Sequence, residues 1–197
     1  MTPSTIPSRD ITLGILAGGR ATRLDGIDKA WLLRDDVPQV LRWQRRFASE
    51  VARTLVSANR DLSCYTQAGL EAVADRARDV AGPLAGLDAL FSHCTTPWLL
   101  TLPVDLVGVN ECLLPTLAAG VDAAGAYAWD DDGVQPLVAL WRVDAACAGV
   151  QQAIEMGKYS VQQLQQQLPM RAVRFAGVRF GNLNTPDDLR LAGIVIP

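Results

Sequence analysis

The stretch Ile11-Thr-Leu-Gly-Ile-Leu16, running into Ala17-Gly18-Gly19-Arg20-Ala21-Thr22-Arg23-Leu24-Asp25-Gly26-Ile27-Asp28-Lys29, decides how the rest of the chain is read. An uncharged apolar run ending in a glycine pair reads as a buried strand that opens into a loop. Adjacent glycines let backbone N–H groups approach phosphate oxygens without a Cβ in the way. Arg20, Arg23 and Lys29 then supply charge for a polyphosphate. Lys29 and Lys158 are the only lysines in the chain, so a lysine here is less easily dismissed as surface filler. Two familiar phosphate loops do not match: no Ser or Thr follows a Gly-Lys, and the glycines are adjacent rather than spaced G-x-G-x-x-G. The residues alone leave two readings, a phosphate loop or a bare surface turn.

Outward from this stretch, short apolar runs alternate with helical patterns. Strands are expected at Arg53–Ala58, Leu70–Ala74, Trp98–Leu102 and Arg171–Phe175, and helices at Val37–Ser49, Leu84–Phe91, Asn110–Ala119, Val143–Ile154, Ser160–Leu168 and from Pro186 to Leu191. Ala123–Trp129 and Leu137–Trp141 should pair across Asp130-Asp131-Asp132-Gly133, because Asp-Gly signals a hairpin. Such alternation means an α/β fold with right-handed crossovers and a mostly parallel central sheet. Ligands in these sheets bind beyond the carboxyl ends of strands, where the strand order reverses.

The 197 residues carry 18 basic and 21 acidic side chains, with a net charge of −3. That length suggests one domain over residues 11–197 behind a disordered tail at 1–10. Hydrophobic residues make up 49%, which excludes wholesale disorder. No apolar run approaches the ~18 residues of a membrane span, and the N-terminus has no signal-peptide pattern, so a cytoplasmic location without a membrane partner is expected. Residues 1–60 hold ten basic residues against six acids, and the remainder eight against fifteen. This asymmetry favours a small phosphorylated ligand near the N-terminal segment over nucleic acid, which needs a broader basic face. Arg42, Arg45 and Arg46 are either part of that field or a solvated helix face. Cys64, Cys94, Cys112 and Cys147 include no C-x-x-C pair and read as small buried hydrophobes. His93, the single histidine, reads as a cation at a helix C-terminus.

Other strand ends carry polar groups. Asn59 and Arg60 close one strand, and Asp105 follows Leu99-Leu100-Thr101-Leu102-Pro103-Val104. A carboxylate there suits Mg²⁺, which takes only one or two protein oxygens beside substrate phosphates, or it caps the next helix. Gly82-Pro83-Leu84-Ala85-Gly86 reads as helix capping or as a helix start approached by a ligand. Asn182-Leu183-Asn184-Thr185-Pro186 places two amides before a Thr-capped helix.

Together these motifs resemble nucleotidyltransferases of the molybdenum cofactor guanylyltransferase type. L-A-G-G-x-x-x-R-x-x-G-x-D-K is complete from Leu16 to Lys29. The likeness continues through Asn59, Asp75 ahead of Gly82-Pro-Leu-Ala-Gly86, Asp105, Gln135-Pro136-Leu137 and Asn182-x-Asn184-Thr-Pro. The resemblance implies a Rossmann-like three-layer nucleotidyltransferase fold that joins GMP from GTP to molybdopterin or Mo-molybdopterin, releasing pyrophosphate. It implies GTP binding by Leu16, Ala17, Gly18, Gly19, Lys29, Asn59, Asp75 and Asp105, with Mg²⁺ on Asp105. Lys29, Arg23 and Asp105 are the expected catalytic residues, and Gly82, Asn182 and Asn184 are placed on the acceptor side, the Asn182 loop at a strand end separate from Asp105. Other cofactor-biosynthesis proteins and target molybdoenzymes are further expected partners. A cytidylyltransferase acting on the same pterin, a sugar-phosphate nucleotidyltransferase, and a non-catalytic nucleotide-binding module remain alternatives. One departure stands out. The family's P-C-D-x-P is Pro103-Val104-Asp105-Leu106-Val107 here, and losing the second proline should loosen the turn that aims the carboxylate.

Overall fold

A computed structural model of the protein describes residues 6–18, 28–76, 80 and 82–195. In chain order the elements are β1 (Ile11–Leu16), β2 (Leu33–Arg34), β3 (Val37–Pro38), α1 (Gln39–Phe47), β4 (Arg53–Ser57), α2 (Leu62–Gln67) and β5 (Glu71–Val73). Then come α3 (Pro83–His93), β6 (Trp98–Pro103), β7 (Leu106–Val107), α4 (Leu113–Ala119), β8 (Gly125–Trp129) and β9 (Val134–Arg142). The chain continues with α5 (Val143–Glu155), α6 (Val161–Gln167), β10 (Met170–Arg174), β11 (Gly181–Asn182), α7 (Pro186–Leu191) and β12 (Ile194–Val195).

β1 is central because its near-continuous apolar side chains need cover on both faces. It pairs parallel with β4 on one side and β6 on the other, in the order β5-β4-β1-β6-β9. β9 runs antiparallel to β6, and the β8–β9 hairpin, closed by the Asp130 N–H on the Gly133 carbonyl, carries the parallel strand β10 beyond it. The result is a mixed, mostly parallel sheet of seven strands. Side chains alternate across the pleat. Leu13, Ile15, Leu100 and Leu102 face one core with Val40, Phe47, Leu113 and Leu117 of α1 and α4. Leu55, Leu99 and Trp141 face the other, with Leu84, Leu87, Leu90 and Val150 of α3 and α5. A Cβ on Gly14 would lie 2.9 Å from Leu90 Cδ1, so the glycine lets α3 press onto β1. A small third core of Leu32, Leu183, Leu189 and Ile194, with Val107 against it, joins α7 and β12 to β2 and β7.

Several expectations are corrected. Ser8–Asp10, assigned to a disordered tail, forms a 3₁₀ turn, and Ile6 packs against the core; residues 1–5 lie outside the described residues. The helix expected from Val37 starts at Gln39. Asp35 and Asp36 both adopt positive φ (51° and 60°), which makes a two-residue hairpin that pairs Val37–Pro38 with Leu33–Arg34. The helix expected from Asn110 begins at Leu113. None of the four cysteines is buried: Cys64 and Cys112 are exposed, Cys94 and Cys147 half-buried, all as free thiols. Cys64 lies on the exposed side of α2 and Cys112 precedes α4 at its N-cap, where neither core claims them. His93 does end α3, its Nδ1 2.9 Å from the Ala89 carbonyl oxygen. Among the described residues no helix is long and apolar enough to cross a membrane.

Candidate active site

The strand order reverses at β1. The chain moves from β1 out to β4 and β5, then returns to the other side of β1 as β6. Register pairs Leu16 with both Ser57 and Pro103, so the three carboxyl ends are level. Hydrogen bonds continue past the ends: the Ala17 N–H donates to the Ser57 carbonyl (2.9 Å) and the Val104 N–H to the Leu16 carbonyl (3.0 Å). Trp43 of α1 donates from Nε1 to the Val104 carbonyl at 3.0 Å and fixes the residue just before Asp105. This is the crevice where a doubly wound sheet takes its ligand.

Two groups of side chains meet around it. In the first, Lys29 Nζ donates to Asp105 Oδ2 at 2.7 Å and to Asn184 Oδ1 at 2.8 Å. Lys29 and Asp105 are about one-fifth exposed, at 21% and 19%. Lys29 opens a 3₁₀ turn capped by Asp28, whose Oδ1 accepts the Ala30 N–H at 2.9 Å. Tyr65 of α2 donates to Asp28 Oδ2 at 3.4 Å and packs against Trp31 with the rings tilted by 51° and their centroids 5.0 Å apart. Burial, reinforced by the Asp28 carboxylate, pushes the Tyr65 phenol well up, so it stays a donor.

In the second group, Asn59 and Asp75 each lie two residues beyond a paired strand end, Ser57 and Val73. They bond reciprocally: Asn59 Nδ2 donates to Asp75 Oδ2 (2.8 Å), and the Asp75 N–H donates to Asn59 Oδ1 (3.0 Å). A Cβ on Gly18 would come within 3.1 Å of Asn59 Nδ2. Asp75 Oδ1 and Ser57 Oγ are buried without a hydrogen-bond partner among the described residues. Gly86 faces Ser57: a Cβ there would sit 2.7 Å from Oγ. Gly82 and Pro83 start α3 as expected, Gly82 with φ 95°. Gly19, Arg20 and Arg23 lie outside the described residues.

Asn182 ends a strand of its own, β11, but that end and Asn184 are not remote from Asp105. β11 pairs antiparallel with β7, Asn182 opposite Leu106 and Gly181 opposite Val107, and the Leu183 N–H donates to the Asp105 carbonyl at 3.0 Å. The turn after Asp105 is therefore held by a cross-strand ladder, and the missing proline leaves it constrained. Arg42 and Arg46 are engaged locally, Arg42 with Asp35 (3.2 Å) and Arg46 with Glu50, which fits the solvated-face reading. Two contributors had escaped notice in the sequence. Tyr65 carried no signal, whereas Asp188 stands three residues after Thr185 in a capping-box pattern. Hydrogen bonds from Thr185 and Asn184, with Lys29 nearby, hold the Asp188 carboxyl below the usual range.

The chain matches the MobA-like NTP transferase domain over residues 13–170. It belongs to that family. Membership makes it a nucleotidyltransferase enzyme. The molybdenum cofactor guanylyltransferase of Ralstonia nicotianae is 35% identical, over 94% of this chain and 97% of that protein. The crystal structure of molybdopterin-guanine dinucleotide biosynthesis protein A from Archaeoglobus fulgidus superposes with a TM-score of 0.71 at 20% identity, over 92% and 96% of the two chains. An inositol-1-phosphate CTP transferase from T. maritima also reaches 0.71, at 11% identity and 94% coverage of each chain. The MobA-like fold is thus shared with a transferase named for a different nucleotide.

Proposed function

We propose that the protein transfers GMP from GTP to the terminal phosphate of molybdopterin or Mo-molybdopterin, giving the guanine dinucleotide form of the cofactor and pyrophosphate. The observation that carries this reading is the convergence of Lys29, Asp105 and Asn184 at the reversal of strand order. Relatives named molybdenum cofactor guanylyltransferase support the choice of substrates.

The donor set fits a magnesium ion. Among the described residues no three His, Cys, Asp or Glu side chains form a metal cage. Instead a carboxylate oxygen and an amide oxygen already converge on one cation, the Lys29 ammonium. Mg²⁺ favours few protein oxygens beside substrate phosphates. Asp105 would hold it with Asn184 as the second oxygen, and when bound it supplies neutralisation of charge on the phosphates and on the departing pyrophosphate.

The acceptor phosphate is already anionic, so attack on the α-phosphorus needs no strong general base. The protein must align the reactants and offset their repulsion. Lys29 takes the β- and γ-phosphates, joined by Arg20 and Arg23. The backbone from Leu16 to Gly18, with Gly19 after it in sequence, is assigned to the nucleotide, and Asn59 and Asp75 to the nucleoside; Asp75 Oδ1, buried without a donor among the described residues, supports this, since such an acceptor is costly unless a ligand supplies one. Gly82 and Asn182 are assigned to the acceptor. Asn184, which touches Lys29, is assigned to the boundary between the two substrates. A thermal-shift panel of GTP, CTP, ATP and UTP with Mg²⁺, followed by pyrophosphate release with molybdopterin, tests the reading. GTP should stabilise the fold far more than CTP; equal shifts would sink the guanine assignment and leave the nucleotidyltransferase standing.

A further inference from the structure

The start of α7 contains one hydrogen bond more than a capping box needs. Thr185 Oγ1 accepts the Asp188 N–H at 3.1 Å, and Asp188 Oδ2 accepts the Thr185 N–H at 2.8 Å, which completes the reciprocal cap. The same Asp188 oxygen also accepts the Asn184 N–H at 3.0 Å. Asn184 is the residue whose side-chain oxygen receives Lys29 Nζ, beside Asp105. We infer that Asp188 is a positioning residue for Lys29: by pinning the Asn184 backbone it sets the amide oxygen that, with Asp105, fixes the ammonium.

The packing beneath supports this coupling. Leu189, next to Asp188, is buried with Leu183 and Ile194 against Leu32, three residues beyond Lys29, and Val107, two beyond Asp105. The Leu183 N–H bonds the Asp105 carbonyl, so the segments bearing Asn184 and Asp105 cannot shift independently. Asp188 touches no reacting atom. It reaches Lys29 through the Asn184 backbone, beside a weaker direct attraction between the two charges; Asp188→Asn, which removes the charge but keeps an acceptor for the Asn184 N–H, separates the two. The consequence for turnover rests on the proposed guanylyl transfer; the link to Lys29 does not.

With only Lys29 and Lys158 in the chain, side-chain ammonium NMR on ¹⁵N-lysine protein resolves the site, and the exposed Lys158 serves as internal reference. Lys29 should give a persistent signal distinct from Lys158. Asp188→Ala should move it toward the Lys158 position, and Asp188→Glu should restore it. Asp188→Asn keeps the volume and one acceptor oxygen, so it should move the signal less, in the same direction; it decides the question if the alanine variant does not fold. Thr185→Ala, which removes the other half of the cap, should leave the signal in place. An unmoved Lys29 signal in both Asp188→Ala and Asp188→Asn, or an equal movement in Thr185→Ala, overturns the inference. In pyrophosphate release from GTP, Asp188→Ala should lose about ten- to a hundred-fold in kcat, as expected for a misplaced group, with Thr185→Ala near wild type. A moved signal with unchanged kcat removes Asp188 from the reaction. A wild-type protein inactive with GTP refutes the functional reading, and the lysine signal still decides the positioning.

Discussion

At the scale of single residues, Lys29 and Asp105 neutralise each other before any substrate arrives. In the proposed reaction GTP would draw the ammonium off the carboxylate, and that exchange shapes two predictions. Lys29→Ala should weaken GTP binding by about 1.5–3 kcal/mol, the worth of a charge-assisted contact, measured by titration calorimetry. It should also lower thermal stability by about 1–3 kcal/mol, because the largely buried Asp105 carboxylate and Asn184 amide oxygen lose their shared donor. Wild-type affinity in this variant would remove the loop from the phosphate site. Asp105→Asn should behave oppositely. Pyrophosphate release should fall by roughly a hundred-fold or more, since charge stabilisation is demanded most in the transition state. GTP affinity measured without divalent cation should hold or tighten, because the lysine is released from its carboxylate. Near-normal turnover by Asp105→Asn would falsify the metal assignment.

Secondary-structure elements set where these groups stand. The turn after β6 is braced by the β7–β11 pairing, and the N-terminal end of α3 lies against the carboxyl ends of β1 and β4. Gly86 makes the second contact possible. A methyl group there would meet Ser57 Oγ at 2.7 Å and Leu16 Cδ2 at 2.9 Å. Gly86→Ala should therefore destabilise the protein by about 1–3 kcal/mol, the usual cost of overpacking, read by denaturant unfolding. Adding Ser57→Ala should recover part of the loss, but not the share that belongs to Leu16. An unchanged unfolding midpoint in the single variant would mean that α3 is free to shift, contrary to the packing described.

For the molecule as a whole, Asp130 ties the β8–β9 hairpin to the segment leading into β11. It is fully buried and accepts from the N–H groups of Phe180 (2.6 Å), Asp132 (2.9 Å) and Gly133 (3.0 Å), and from Gln135 Nε2 (3.2 Å). Burial works to raise its pKa, but the hydrogen bonds outweigh it and hold the carboxyl below its usual 3.8. A folded pKa below the unfolded one stabilises the protein fully above the unfolded value and loses that contribution as pH falls through the folded value. Wild-type stability should thus drop as pH is lowered below about 4. Asp130→Asn should be less stable at neutral pH by roughly 1–3 kcal/mol, because buried donors lose their acceptor. Its stability should also decline less on acidification. Urea midpoints from pH 7 to pH 3 check both, and parallel curves for the two proteins would exclude Asp130 as the source.

The amino-acid sequence determined what local patterning can carry. β1, the Trp98 strand, the Asp-Gly hairpin and the Pro186–Leu191 helix were legible because burial on two faces, turn chemistry and caps are written within a few residues. The strand-end or loop positions of Lys29, Asn59 and Asp105 were legible from local pattern, whereas Asp75 was named only through the family resemblance. Short elements such as β2, β7, β11 and β12 were not, since two-residue strands have no periodicity and exist only through partners distant in the chain. The expectation of burial fails for Cys64 and Cys112, while Cys94 and Cys147 do pack against a core: composition states a preference, whereas exposure depends on which surface of an element meets a core. Only the tertiary structure decided that Asn184, 155 positions from Lys29, shares its ammonium with Asp105. That contact depends on the β7–β11 pairing and the small core beneath α7, in which segments from both halves of the chain hold one another in register.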